Sequence, residues 1–265
     1  MNSTPSRHNQ PDTLRVTLVQ NPIQWHNVRH NLDTISEMLR DASPEELIVL
    51  PENFATGFIV DNQLSDNAST IVAWMRELAA TRQAAVTGTV AVHEPTGWYN
   101  RLFFISPDGA EFTYDKRHLF PTSPEPELFR KGERQTVIPL HGWNICPQIC
   151  YDLRFPVWSR NAVTNGQFRY DILLYVANWP AARADIWSTL LRARAIENQC
   201  YVLGCNCVGT DPQKREYQGD TQAIAPNGAV QAAAQPGTPQ LLQTTLSHTR
   251  LSAWRTRFPI SEDWD

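Results

Sequence analysis

The chain has 265 residues, 42% of them hydrophobic, and a formal net charge of −4. That is enough apolar material for one α/β domain with a large core, and it leaves no basic footprint for nucleic acid or for an anionic membrane surface. The expected partner is a small molecule, and five cysteines, an odd number, read as reduced thiols and not as a disulfide framework.

Residues 1–12 are polar and Pro-containing and read as a tail ahead of a single domain over 13–265. They have neither the apolar run of a signal peptide nor the Arg-rich pattern of a transit peptide, and no stretch approaches the roughly 18–20 apolar residues of a membrane span. A cytoplasmic protein is the expectation.

Leu14 to Gln20 is β-branched and stops at Asn21-Pro22, a first strand. Val28, Leu32, Ile35 and Leu39 recur at helical spacing on one face. Leu47 to Leu50 is a short apolar run closed by Pro51, so Glu52 falls at a strand end. Thr70 to Ala80 reads as a helix and Ala85 to Val92 as a strand. Arg101 to Ser106 and Glu111 to Asp115 flank Pro107-Asp108-Gly109 as a hairpin that releases Lys116.

Trp143 to Cys150 and Asp171 to Ala177 are further strands, and Trp187 to Asn198 is a helix with an Arg-rich outer face. Tyr201 to Val208 is a strand, Ala223 to Val230 carries an Asn227-Gly228 turn signal, and Leu241 to Leu246 closes the sheet. Strands and helices alternate without repeat or linker, which makes a layered α/β sandwich the economical fold.

Cys150 stands where an apolar strand gives way to Tyr151-Asp152-Leu153-Arg154. A cysteine taken at random is more often a small core residue. A thiol of ordinary pKa near 8.5 is mostly protonated at neutral pH and needs a base or a cation beside it. Glu52 and Lys116, each at a predicted strand end, would supply both if the three ends converge. Cys146/Cys150 and Cys205/Cys207 do not reproduce a Cys-x-x-Cys pair, so metal binding is not expected; His118 and His141 read as ordinary histidines.

Leu50-Pro51-Glu52-Asn53-Phe54, Tyr114-Asp115-Lys116-Arg117-His118-Leu119-Phe120 and Ile149-Cys150-Tyr151-Asp152-Leu153-Arg154-Phe155-Pro156 resemble, in order and approximate spacing, the three signature blocks of the carbon-nitrogen hydrolase (nitrilase) superfamily. Ala177-Asn178-Trp179-Pro180, Leu191 to Asn198, Asn206-Cys207-Val208-Gly209 and Arg257-Phe258-Pro259 look similar to its omega-amidase branch.

The resemblance implies a single-domain αββα sandwich that pairs with a second copy as a homodimer. It implies Cys150 as nucleophile, Glu52 as general base, Lys116 as the oxyanion's cation, and a further glutamate, Glu125 in preference to Glu127. The Tyr151 backbone N–H would support the oxyanion.

The implied substrate is a small ω-amide of a dicarboxylate, such as 2-oxoglutaramate or 2-oxosuccinamate, cleaved without metal or organic cofactor. An N-carbamoyl compound, a nitrile or another amide on the same residues, a non-catalytic binding protein, and a thiol redox protein are the alternatives. Phe58, Arg154 and Trp179 are candidate substrate contacts, although an Asp152–Arg154 ion pair fixing the loop is the preferred reading of that pair. Trp254, Phe258, Ile260 and Trp264 would pack across a partner or close the same subunit as a strand and tail.

Overall fold

The computed structural model describes residues 11–61 and 63–264; the polar tail of residues 1–12 therefore lies almost wholly outside the described residues. In chain order, β1 (Thr13–Gln20) is followed by α1 (Val28–Leu39), β2 (Leu47–Val49), α2 (Ala68–Arg82), and the meander β3 (Ala85–Glu94), β4 (Gly97–Ile105) and β5 (Glu111–Asp115). A short helix α3 (Glu125–Leu128) leads to β6 (Ile138–Leu140) and β7 (Trp143–Ile149), then a 3-10 turn over Cys150–Arg154 and α4 (Pro156–Ser159). The small hairpin β8 (Val163–Thr164) and β9 (Gln167–Phe168) precedes β10 (Ile172–Ala177), α5 (Ala184–Asn198) and β11 (Tyr201–Asn206). The chain closes with β12 (Val208–Thr210), β13 (Glu216–Gln218), β14 (Gln222–Ile224), β15 (Val230–Ala233), β16 (Gln240–Ser247) and α6 (His248–Arg257).

Two six-stranded sheets result, ordered β16-β1-β2-β3-β4-β5 and β15-β14-β11-β10-β7-β6. Each has three parallel strands at its centre, β1-β2-β3 and β7-β10-β11, with antiparallel strands outside. Parallel central strands buried on both faces should lack alternation, and all six residues of β10 are buried. Leu14, Val16, Leu47 and Val49 of the first sheet meet Ile145, Ile172, Leu174 and Leu203 of the second in one core between the sheets. Leu32, Ile35, Ile71 and Met75 of α1 and α2 cover the outer face of the first sheet, and Trp187, Leu191 and Ala195 of α5 cover that of the second. The layer order is αββα.

The structure departs from the sequence expectations in three places. The strand expected over Tyr201 to Val208 breaks at Cys207, because the Asn206 side chain donates to the backbone carbonyls of Trp179 and Gly219 at 3.0 and 2.7 Å, and β12 leaves to pair with β13. The Arg-rich face of α5 is not wholly outward: Arg194 is buried and donates to the Leu153 carbonyl at 2.6 Å, while Ile196 is 48% exposed. The C-terminal segment folds as helix α6, capped by Ser247, and not as a strand and tail. Beyond it Trp264 packs edge-on against Phe168 of the same subunit, 5.8 Å between rings.

Candidate active site

Because β5 runs antiparallel to β4 and β4 to β3, the carboxyl end of β5 lies at the same end of its sheet as those of β2 and β3. Strand ends of that polarity are where open α/β sheets gather functional groups. Glu52 follows β2, Lys116 leaves β5, and Cys150 follows β7. All three line one cleft of about 450 Å3, its open mouth included, together with Phe58, Tyr151, Arg154 and Trp179.

Lys116 is 1% exposed and sits between two carboxylates: Nζ donates to Glu52 Oε1 at 2.8 Å and to Glu125 Oε1 and Oε2 at 2.9 and 3.1 Å. An ammonium has three donors. Glu52 takes one and the two Glu125 oxygens meet the others, so a ligand oxygen would share a donor with Glu125. Phe58 covers the ammonium, its ring centroid 5.0 Å from Nζ. Burial works against the charged amine, but the Glu125 and Glu52 carboxylates outweigh it and hold Lys116 above the ordinary lysine value. Glu125 is fully buried at the start of α3 and also accepts from the Phe120 N–H at 2.6 Å, whereas Glu127 faces solvent.

Cys150 has φ +46°, a left-handed conformation that a non-glycine residue holds at a cost of about 1–3 kcal/mol. The sharp turn from strand into 3-10 helix projects the side chain into the cleft, and Cys150 is the one cysteine of the five that is not fully buried. Burial pushes its thiol well up, the Glu52 carboxylate adds to this, and Lys116 opposes both. The thiol is thereby held in its neutral form, and Sγ reaches the carbonyl of Asn178, whose backbone N–H binds Glu52 Oε2, at 3.9 Å. Thiol, carboxylate and ammonium thus share one cleft, the combination that activation of a thiol nucleophile requires.

Asp152 does not pair with Arg154. Its buried carboxylate accepts from the Ile149 N–H at 3.0 Å, from Tyr114 Oη at 2.8 Å and from the His118 N–H at 2.9 Å, tying the turn after Cys150 to the strand that carries Lys116. The His118 ring Nδ1 also lies 2.8 Å from Asp152 Oδ1, so the carboxylate is fully partnered without a guanidinium. Arg154 lies instead over the Trp179 ring, 5.1 Å from its centroid.

Two asparagines escape the sequence reading. Asn100 Nδ2 donates to Glu52 Oε1 at 2.8 Å and reaches Glu125 Oε1 at 3.5 Å. Its Oδ1 is buried without a partner among the described residues, so the donor end alone decides how the side chain is held. Asn178 gives its backbone N–H to Glu52 Oε2 at 2.9 Å and its side-chain amide to the Glu52 carbonyl, while the buried Cys207 thiol contacts Asn178 Oδ1 at 3.2 Å. The signal for Asn100 was available: Asn100, Leu102 and Phe104 share the buried face of β4, and Asn is depleted in strand interiors. Phe120, Arg183, Arg215 and Tyr217 also line the cleft without having been singled out.

Replacing Asn100 with leucine removes one hydrogen bond to a charged carboxylate, worth about 1.5–3 kcal/mol. A roughly 10- to 100-fold fall in kcat/KM is expected, with KM little changed, and steady-state kinetics on the variant check it.

A carboxylate–ammonium–thiol cluster at the strand ends of an αββα sandwich defines a thiol hydrolase. The profile of the carbon-nitrogen hydrolase family matches residues 15–256, and the chain belongs to that family. It is 44% identical over 256 residues to the omega-amidase YafV of Yersinia enterocolitica, covering 96% of this chain and 97% of that one. It is 35% identical over 198 residues to a 2-oxoglutaramate amidase of Bacillus subtilis, covering 73% and 75%. Among solved structures, a carbon-nitrogen hydrolase superfamily protein of Xanthomonas campestris that carries an arsenic adduct in its active site superposes with a TM-score of 0.92, at 42% identity over 96% of this chain and 97% of that one.

Proposed function

We propose that the protein hydrolyses the ω-amide of a small dicarboxylate monoamide, such as 2-oxoglutaramate or 2-oxosuccinamate, to the acid and ammonia through a thioester on Cys150. The observation that carries the chemistry is one cleft that brings together the Cys150 thiol, the Glu52 carboxylate and the buried Lys116 ammonium. The omega-amidase and 2-oxoglutaramate amidase relatives support the substrate.

Glu52 takes the thiol proton as sulfur attacks the amide carbon, and the oxyanion is met by Lys116 Nζ and the Tyr151 backbone N–H. The tetrahedral intermediate collapses with Glu52 returning that proton to the departing nitrogen, and ammonia leaves. Water, deprotonated by Glu52, attacks the thioester; the acid is released and the sulfur regains its proton. No step needs a metal or an organic cofactor. Phe58, Arg154 and Trp179 wall the substrate, and we infer a homodimer acting in the cytoplasm. Ammonia release from a panel of ω-amides tests the reading, and a wild-type protein that released none from any of them would defeat it.

The pH profile follows from the same cluster. Burial raises Glu125 above its ordinary value of 4.5, against the pull of Lys116 and with the Glu52 charge adding to it. As pH falls Glu125 therefore takes up its proton earlier than a free carboxylate, and Lys116 and the Phe120 N–H lose an acceptor they share. The acid limb of kcat/KM is expected above pH 4.5 and to move in Glu125→Gln. Lys116, held above 10.5, keeps its charge and its ion-pair contribution below that value, so it adds no alkaline limb near neutrality. A kcat/KM profile on wild type and Glu125→Gln decides both points.

A further inference from the structure

The charged groups of the cleft are segregated by depth. At its floor, Glu52, Glu125 and Lys116 are each no more than 1% exposed, and two carboxylates against one ammonium leave a formal charge of −1. Farther out stand the part-exposed Arg154 and Arg183. No carboxylate among the described residues pairs with either, although nine arginine–carboxylate pairs form away from the cleft among those residues and Arg215, at the same cleft, is matched by Asp211 at 3.2 Å.

Each of the two unmatched guanidinium groups is seated over an aromatic ring, Arg154 on Trp179 at 5.1 Å and Arg183 on Phe120 at 5.2 Å. Such seating fixes the plane of the fork and leaves its N–H edge for a planar anion. The backbone beneath them is held as well: Arg183 lies on a 3-10 turn whose carbonyl accepts from Trp179 Nε1 at 2.8 Å, and Arg154 follows Leu153, whose carbonyl accepts from the buried Arg194.

The geometry points to Arg183 and Arg154 as a two-arginine subsite for the carboxylate that the substrate keeps, with the acidic floor excluding a carboxylate from the scissile position. The inference rests on the amidase reading and deepens it. A monoamide has one neutral and one anionic end, and this charge layout accepts it in one orientation only: amide to Cys150, carboxylate to the arginines. It also gives the product a reason to leave. Hydrolysis converts the neutral end into a second carboxylate beside Glu52 and Glu125, where like charge repels it.

The test compares glutaramate with pentanamide, a neutral amide of the same chain length, in wild type, Arg183→Met, Arg154→Met and Arg183→Lys. Methionine keeps an unbranched chain over the ring and drops the charge. Wild type is expected to favour glutaramate at least about 100-fold in kcat/KM, and each methionine variant to shrink that preference at least about tenfold, mainly through the KM for glutaramate. Arg183→Lys, which keeps charge without the fork, should retain part of it. A wild type with no preference, or variants that lose both substrates in equal proportion, would overturn the subsite.

A second readout does not depend on turnover. Pentanoate should slow iodoacetamide labelling of Cys150 in wild type and fail to do so in Arg183→Met. If neither amide is hydrolysed but this protection is seen, the amidase reading falls and the anion subsite stands; if protection is absent or survives the substitution, the subsite falls.

Discussion

Cys150→Ala is expected to abolish ammonia release, a loss on the order of 10^6-fold that reaches the assay floor, because the nucleophile has no substitute in the cleft. The other four thiols are fully buried, and none can take over its position. The variant should fold normally, since the substitution removes one part-exposed sulfur and keeps a Cβ on the same strained backbone; a stability change under about 1 kcal/mol is expected. Cys150→Ser should fare little better, as a hydroxyl holds its proton far more tightly than a thiol does against the same neighbouring carboxylate. In wild type, rapid quenching with substrate should show the acyl adduct by mass on the peptide containing Cys150, and on no other. Hydrolysis surviving in Cys150→Ala would refute the thioester route.

What could be read in the sequence divides along a physical line. Glu52 and Cys150 each follow an apolar strand that stops abruptly and Lys116 follows a strand marked by its Pro107-Asp108-Gly109 turn, signals visible in one dimension; convergence of the three ends depends on strand polarity in the first sheet and on how the second sheet packs against it. The four apolar positions of α1 and the unbroken apolar run of β10 were legible for the same reason. Helix α6 was not, since Leu251 is the only buried residue among its ten and leaves no stripe to detect.

Long polar side chains were the other blind spot. Arg194 belongs to a helix face that reads as outward and Arg154 to a strand-end loop where an ion pair with Asp152 is the preferred reading, yet one is buried against the Leu153 carbonyl and the other lies over Trp179. Where a guanidinium points is decided by partners distant in sequence, and periodicity carries no information about them. Asn178 shows the limit from the other side: its block was recognised, but its two bonds to Glu52 span 126 positions and depend on the two sheets meeting.

Lys116→Met should lose turnover and stability together, and a second substitution separates the two effects. Removing the ammonium takes away an oxyanion donor, for which a loss of about 10²–10³ in kcat is typical. It also leaves Glu52 and Glu125 buried without their common cation, and breaking a buried ion pair in this way costs about 3–5 kcal/mol. If Lys116 served only to neutralise its neighbours, then removing one of the stranded charges as well would repair everything. Lys116→Met/Glu125→Gln has a single remaining carboxylate, Glu52, which still accepts from Asn100 and from the Asn178 N–H. The double variant is therefore expected to regain a substantial part of the unfolding free energy in urea melts while its kcat stays within a few-fold of the single variant. Recovery of turnover along with stability would make Lys116 a structural counter-ion; recovery of stability alone identifies the charge as one the transition state uses.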